Sequence, residues 1–324
     1  MITPLQLGNK IFPTNLIQGP LAGVSSAPFR YLTWIYGSPA FSCTEMISCK
    51  TLIHQSKKVY QRYIAKSPEE GPTCFQLSTN DPKELALATK IVTDSGADLV
   101  DLNCGCPVKK IRNKHAGSFL LSDPKKLYAL IIAMKMNTHL PVSIKIRVEG
   151  DSTDKSNLAI AEVIRDTGAD FLIVHGRHWS ENYETSCRYD QIKFFVNELK
   201  IPVIGNGDIK CVESLKKMFL TGCAGVMIGR AGVGQPWLIK KLNAEMRGQK
   251  FVEPSLKEIG EIFLKHATSL ITLLDSELLG ILQARKFAKY YARTLKTKNA
   301  FVEEINICKN YNALQTIVNN FFEV

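Results

Sequence analysis

Gln76, Lys145 and His175 each stand at or near the close of a run of apolar or β-branched sequence, which is where a parallel sheet of strand–helix units gathers its working side chains. A lysine or histidine beside a redox-active ring stabilises the negative charge that develops on reduction, and a glutamine can hydrogen-bond a ring edge through either end of its amide. Asn206-Gly207-Asp208 and Gly229-Arg230 end two further runs. Small residues with free backbone N–H groups and a cation suit a phosphate, and the last two loops of a barrel commonly hold one. The first run ends in Gly19-Pro20-Leu21-Ala22-Gly23, the second in Thr44-Glu45-Met46, the fourth in Asn103-Cys104-Gly105-Cys106-Pro107, and the fifth carries Arg147 beside Lys145. Any one of these is as readily a solvated rim residue as a ligand. Together they favour a site whose chemistry fits a flavin mononucleotide (FMN) held across a barrel mouth. Cys104 and Cys106 have other readings, as half of a metal site or as inert core thiols; no second Cys and His cluster at ligand spacing supports the former.

The elements that must position these residues show in the hydrophobic pattern. Strand-like runs lie at 16–19, 40–44, 73–77, 99–103, 142–146, 171–174, 203–205 and 225–228. Between them apolar residues recur at helical spacing, as at 82–95, 124–136 and 157–167. Ser95-Gly96-Ala97-Asp98, Thr167-Gly168-Ala169-Asp170 and Thr221-Gly222-Cys223-Ala224 repeat one device, a glycine helix stop feeding a new strand. Eight such units in roughly 230 residues predict an α/β fold, a TIM (β/α)8 barrel. A doubly wound sheet is disfavoured because no G-x-G-x-x-G follows the first strand. After Gly248 strand-like runs stop and the sequence reads as helices, with one long segment at 276–295. Two domains are therefore expected, a barrel over 1–248 and a C-terminal all-helical domain over 249–324. In the long segment Arg285, Lys289 and Arg293 recur every four residues with Lys296 three further on, while Phe287, Tyr291 and Leu295 mark a second face for packing.

Hydrophobic residues make up 45% of the 324 and charged residues 22%, the balance of a globular chain and not of a disordered one. The N-terminal stretch lacks the basic-then-apolar layout of an export signal and no run is long enough to span a bilayer, which predicts a cytoplasmic protein without a membrane. Nine cysteines in such a protein are expected as free thiols. The formal charge of +11, from 41 Lys plus Arg against 30 Asp plus Glu, favours a polyanionic partner without naming it. Lys109, Lys110, Arg112 and Lys114 follow Cys106 directly and read equally as a solvated rim or as a phosphate-holding patch.

Taken in order, Gly19-Pro20-Leu21-Ala22-Gly23-Val24, Thr44-Glu45-Met46, Gln76-Leu77, Leu102-Asn103-Cys104-Gly105-Cys106-Pro107, Lys145-Ile146-Arg147, His175-Gly176-Arg177, Asn206-Gly207-Asp208 and Gly229-Arg230 resemble the signatures of tRNA-dihydrouridine synthases. Arg285-Lys286 with Tyr290-Tyr291 resembles that family's helical C-terminal region. The Asn-x-Gly-Cys-Pro element is the most specific; the others occur more loosely in other flavin barrels. The resemblance implies an FMN-dependent, NADPH-driven reduction of the C5=C6 bond of a uridine in tRNA. It implies FMN contacts from Pro20, Leu21, Ala22, Gln76, Lys145, His175, Asn206, Gly207, Asp208, Gly229 and Arg230, a proton donor in Cys106 and not Cys104, and a hydrogen bond from Asn103 to a uracil extruded from its stack. A thiol suits that place. Hydride arriving at C6 leaves enolate-like charge, a proton must reach C5 from the other side, and a thiol of ordinary pKa, about 8.5, is protonated at neutral pH.

With tRNA as partner, Arg285, Lys289 and Arg293 become expected backbone contacts. No metal and no protein partner are expected, and a monomer leaves the largest surface for the nucleic acid. Val24-Ser25-Ser26 lacks the acidic residue common in the family's first loop, and His178-Trp179 stands where a Thr-Arg pair is usual, so contacts of that loop do not transfer. Two other readings stay open: a flavin barrel acting on a small free substrate such as dihydroorotate, and a catalytically silent tRNA-binding protein. The basic tail and Gly-Cys-Pro stand against the first, Lys145 and Cys106 against the second.

Overall fold

The computed structural model describes residues 1–149 and 155–324. Strands form in the apolar, β-branched runs: Leu16–Gln18 (β1), Ser42–Cys43 (β2), Thr73–Ser78 (β3), Leu99–Cys104 (β4), Val142–Arg147 (β5), Phe171–His175 (β6), Val203–Asn206 (β7) and Gly225–Ile228 (β8). They pair in parallel in the order β2-β1-β8-β7-β6-β5-β4-β3, and β2 also pairs with β3, which closes the sheet into a barrel. Two of the barrel helices begin at an aspartate that takes free N–H groups of the first turn. Asp81 accepts from Lys83 (2.7 Å) and Glu84 (3.3 Å) ahead of Pro82–Asp94, and Asp123 accepts from Lys126 (3.0 Å) ahead of Pro124–Lys135. The three glycine stops, Gly96, Gly168 and Gly222, all adopt the left-handed conformation that ends a helix, with φ of 88°, 66° and 84°.

Side chains facing out from the strands merge with the surrounding helices in the largest apolar cluster, while those facing in at the N-terminal end form a second cluster with Leu5, Leu7 and Phe12. These last belong to an antiparallel hairpin, Leu5–Leu7 with Lys10–Phe12, that stops the lower end of the barrel. Its strands of three residues are too short for a periodic signal, and the hairpin was not expected from the sequence.

The C-terminal helices Leu256–Leu274, Glu277–Tyr291, Lys298–Ile307 and Tyr311–Phe322 enclose a third cluster that takes in Phe29, Leu32, Val233 and Trp237 from the barrel's side. The first opens with a capping box, in which Ser255 Oγ accepts from Glu258 N–H at 3.3 Å and the Glu258 carboxylate accepts from Ser255 N–H at 2.7 Å. The expected single helix over 276–295 is shorter: it ends at Tyr291, and Ala292–Thr294 form a 3-10 turn. It stops where Gly234, at φ 70°, closes on its backbone; a Cβ built on Gly234 would lie 2.5 Å from the Tyr290 carbonyl carbon, so the approach requires glycine.

His266 is fully buried in this third cluster, its ring centroid 4.3 Å from that of Phe287 and its Nδ1 3.2 Å from the Tyr291 hydroxyl. Nε2 has no partner among the described residues, and burial holds the imidazole neutral by pushing its pKa down to about 3. The folded-state pKa lies below the unfolded one, so the stability tied to the neutral ring is present above about pH 6.5 and is lost as pH falls toward 3. Between pH 7.5 and 5 the loss from this one group is roughly 2 kcal/mol. Denaturant melts at both pH values check this: the wild type should lose more stability on acidification than His266→Leu by about that amount, and equal losses would show that the ring is not held neutral.

Candidate active site

The C-terminal end of the barrel opens on a cavity of about 810 Å3 lined by strand ends and the loops that follow them. β4 supplies its centre. Alternation along the strand sends Leu99, Asp101 and Asn103 inward and Val100, Leu102 and Cys104 outward. Cys104 is therefore part of the barrel–helix layer, where burial and the charge of Asp101 push its thiol pKa up, as suits an inert core residue. Cys106 has left the strand and lines the cavity, half-buried. Asn103 Oδ1 accepts from Cys106 N–H at 3.0 Å and from Gly105 N–H at 3.3 Å, and Ser118 N–H donates to the Cys106 carbonyl at 3.1 Å.

Beneath this loop runs a buried chain of polar side chains. Asn103 Nδ2 donates to Gln76 Oε1 at 2.7 Å, Gln76 Nε2 to Asp101 at 2.8 Å, and Ser143 Oγ to Asp101 at 2.6 Å. Burial raises Asp101 to about 7, against the pull of those hydrogen bonds and of the nearby Lys145. Lys145 is lowered to about 8, first by burial, with Asp101 opposing and Arg147 reinforcing the shift. Its ammonium donates to Asn206 Oδ1 at 3.0 Å, while Asn206 Nδ2 donates to the Met227 carbonyl at 2.9 Å. Burial, then Lys145, Arg147, Arg177 and Arg230, hold His175 well below the ordinary imidazole range. His175 Nε2 lies 3.1 Å from Arg177 Nη1; because a guanidinium only donates, Nε2 accepts and the proton of the neutral ring sits on Nδ1.

The corner made by Gly229, Arg230 and the 3-10 turn Arg230–Gly232 follows β8. Every residue expected to hold FMN lines the cavity, as do Asn103 and Cys106. Asp208, however, spends its carboxylate on the protein itself, pairing with Arg177 and accepting from Cys187 N–H at 2.9 Å. The three C-terminal cations do not share one surface. Arg285 turns inward and donates Nε to the Cys308 carbonyl at 3.0 Å, Lys289 is exposed, and Arg293 lies beyond the helix end, donates to the Val233 carbonyl and lines the cavity. Arg285 and Lys289 keep their fourfold spacing on the helix Glu277–Tyr291, while Arg293 falls in the 3-10 turn after it.

Other lining residues carried no assigned role: Met46, Arg147, Arg177 and Tyr183. Tyr183 stands eight residues past the end of β6, and nothing in its local sequence marks it. The loop folds back because Arg177 Nε donates to the Thr185 carbonyl and Arg188 pairs with Glu181, and it lays the Tyr183 ring 3.6 Å from the Arg230 guanidinium carbon. Arg147 was visible beside Lys145; it donates to the His178 carbonyl at 2.9 Å. Arg112, from the basic run after Cys106, stacks on Trp179 at 3.4 Å and donates to Ser118 Oγ at 2.8 Å, tying two rim loops together. Lys145, Arg147, Arg177, Lys210, Arg230 and Arg293 face Asp208 as the one carboxylate among the described lining residues, so the mouth is strongly positive. Among the described residues no group of three or more His, Cys, Asp or Glu side chains is gathered as a metal would need, and no helix is long and apolar enough to cross a membrane.

The family model for dihydrouridine synthase matches residues 17–323. The chain is 33% identical to tRNA-dihydrouridine synthase B of Vibrio cholerae, over 96% of this chain and 95% of the relative. It is 32% identical to tRNA-dihydrouridine synthase B of Pseudomonas putida, over 99% and 95%, and 29% identical to a probable tRNA-dihydrouridine synthase of Rickettsia prowazekii, over 98% and 97%. A positive barrel mouth with a thiol on a β4 loop, and likeness that spans nearly the whole chain, lead to one assignment: the protein belongs to the dihydrouridine synthase family of flavin-dependent oxidoreductases.

Proposed function

We propose that the protein reduces the C5=C6 bond of a uridine in tRNA to dihydrouridine, with FMN in the barrel mouth, NADPH as electron source and Cys106 as proton donor. The observation that carries this reading is the placement of Cys106: it is the thiol of the Asn103-to-Pro107 element that faces the mouth, on a loop held by Asn103, while Cys104 faces away.

The residues fit FMN. Lys145 carries three N–H groups and uses one on Asn206 among the described residues, so a desolvated cation is left with donors for an anionic ring edge. Gln76 keeps one amide hydrogen and one lone pair beyond its bonds to Asp101 and Asn103. Arg230, with the backbone of the turn that follows it, suits the phosphate. Bound there, FMN would supply hydride chemistry for C6 of the uracil, with NADPH as the source of its electrons. Asn103 and Cys106 face the base from β4 and its loop, and the Cys106 thiol passes its proton to C5, leaving a thiolate in a mouth lined by Arg147 and Lys145. The base reaches them only if its nucleotide leaves the stack. Residues 1–248 supply Cys106 and the FMN contacts and 249–324 help to hold the tRNA, with Tyr290 and Arg293 bringing the tail to the same mouth. The protein acts as a monomer in the cytoplasm, where tRNA is found.

Cys106→Ala should leave reduction of bound flavin by NADPH close to wild type while dihydrouridine formation falls by roughly 100-fold or more, the scale of a lost general acid. Cys104→Ala should leave both rates nearly unchanged. Rapid-reaction traces of flavin absorbance with dihydrouridine quantified by mass spectrometry check this, and reversed phenotypes would sink the assignment. For the tail, Lys289→Glu should weaken tRNA binding and flatten its log–log salt dependence by close to one unit, about what a single phosphate contact contributes. An unchanged slope in filter binding across a salt series would take Lys289 off the tRNA.

A further inference from the structure

Asp101 takes no part in the proton transfer described above, yet it is fully buried one layer below the residues that do. Strand register puts it there: Gln76 on β3 lies opposite Asp101, Asp101 lies opposite Ser143 on β5, and two residues further along Asn103 lies opposite Lys145. A primary amide donates at one end and accepts at the other, whereas the Asp101 oxygen facing Gln76 accepts in either protonation state: ionised, the carboxylate only accepts, and protonated, it can place its one O–H on the other oxygen toward Ser143. In the buried chain that accepting oxygen therefore decides which way each amide faces. Gln76 must turn Nε2 to Asp101, so Oε1 faces the mouth and accepts from Asn103 Nδ2. Asn103 is then left with Oδ1 for the N–H groups of Gly105 and Cys106. If the first amide were reversed, two donors would meet at Asn103. If Asn103 reversed as well, its NH2 would face two backbone N–H groups, and a buried mismatch of that kind costs more than the bond it replaces gains.

We propose that Asp101 is a positioning residue for Cys106: its carboxylate sets the polarity of the Gln76 and Asn103 amides, and the second amide holds the Cys106 loop in the barrel mouth. The inference rests on the reading of Cys106 as proton donor. Ser143 has a defined part, because its hydroxyl both donates and accepts. It donates to the carboxylate as the protein stands, and it can instead accept from an amide.

That difference gives a test which a merely structural role does not pass. In Asp101→Asn the new NH2 can turn to Ser143 Oγ and leave its oxygen for Gln76, so the chain keeps its polarity. In Ser143→Ala the carboxylate still accepts from Gln76. In the double variant the NH2 has no acceptor opposite it, and the chain must trade one mismatch for another. Single-turnover dihydrouridine formation from pre-reduced protein at saturating tRNA should fall by no more than about threefold in each single variant and by more than about tenfold beyond their product in the double, a coupling within the range of neighbouring polar residues. Reduction of bound flavin by NADPH should stay within about threefold of wild type in each single variant and fall by less than dihydrouridine formation in the double, where Gln76 also faces the FMN site, and the KM for tRNA should stay within about threefold throughout. Additive losses, or a double variant slowed equally in both half-reactions, would overturn the relay. Should the double variant not fold, Ser143→Cys replaces the alanine with a poor acceptor of similar volume, and the same comparison is made with it. Cys106→Ala in the same assay separates the two claims. If it turns over normally the proton-donor reading fails, and if it is slow while the double variant is not, the relay alone fails.

Discussion

A polar side chain turned into a closed barrel has no water to bond to, and it costs several kcal/mol unless another side chain completes it. In β4 the strand alternation turns two such groups inward, Asp101 and Asn103, and the active-site end is built around satisfying them. Gln76 and Ser143, opposite Asp101 on the flanking strands, supply its donors, and Asn103 bridges from Gln76 to the Cys106 loop. Lys145 answers the same constraint from β5, taking Asn206 as its partner and sharing the field of Asp101. The result is a set of functional groups held by strands, with Cys106 on a loop anchored to them through Asn103.

The helical tail is fastened to this frame. Its apolar cluster includes Phe29 and Leu32 of the first barrel helix and Val233 and Trp237 from the segment after β8. The contact of Gly234 on Tyr290 and the bond from Arg293 to the Val233 carbonyl set the end of the helix Glu277–Tyr291 against the mouth. A large polyanion that reaches the thiol must therefore pass a wall shared by barrel and tail. Arg285 is outside that wall and braces the Cys308 carbonyl within the tail.

Much of this was legible in the sequence because it depends on short-range rules. Short apolar or β-branched runs marked all eight barrel strands, helical spacing and glycine stops marked helices between them, and the strand-end rule picked out Gln76, Lys145, His175 and the Asn206 and Gly229 corners. The rest depends on long-range geometry. Tyr183 enters the mouth because Arg177 and Glu181 fold its loop back, contacts no local pattern encodes. The side-chain placement of Arg285, Lys289 and Arg293 was likewise hidden: Arg285 is drawn to the Cys308 carbonyl, and Arg293 lies past the helix end, where it meets the Val233 carbonyl. Asp101 is the instructive case. A lone carboxylate in the run Leu99-Val100-Asp101-Leu102 was in plain view, but its importance shows only when register places Gln76 and Ser143 beside it.

The central claim, that reducing equivalents held in the barrel mouth pass to a uridine of tRNA, is tested most directly under anaerobic conditions. Protein carrying flavin is reduced with NADPH, freed of excess nucleotide, and mixed with tRNA that lacks dihydrouridine or with free uridine or orotate-type pyrimidines. Flavin reoxidation on mixing with tRNA, matched mole for mole by dihydrouridine in the recovered RNA, is the predicted result. Reoxidation by a free pyrimidine and not by tRNA would contradict the account.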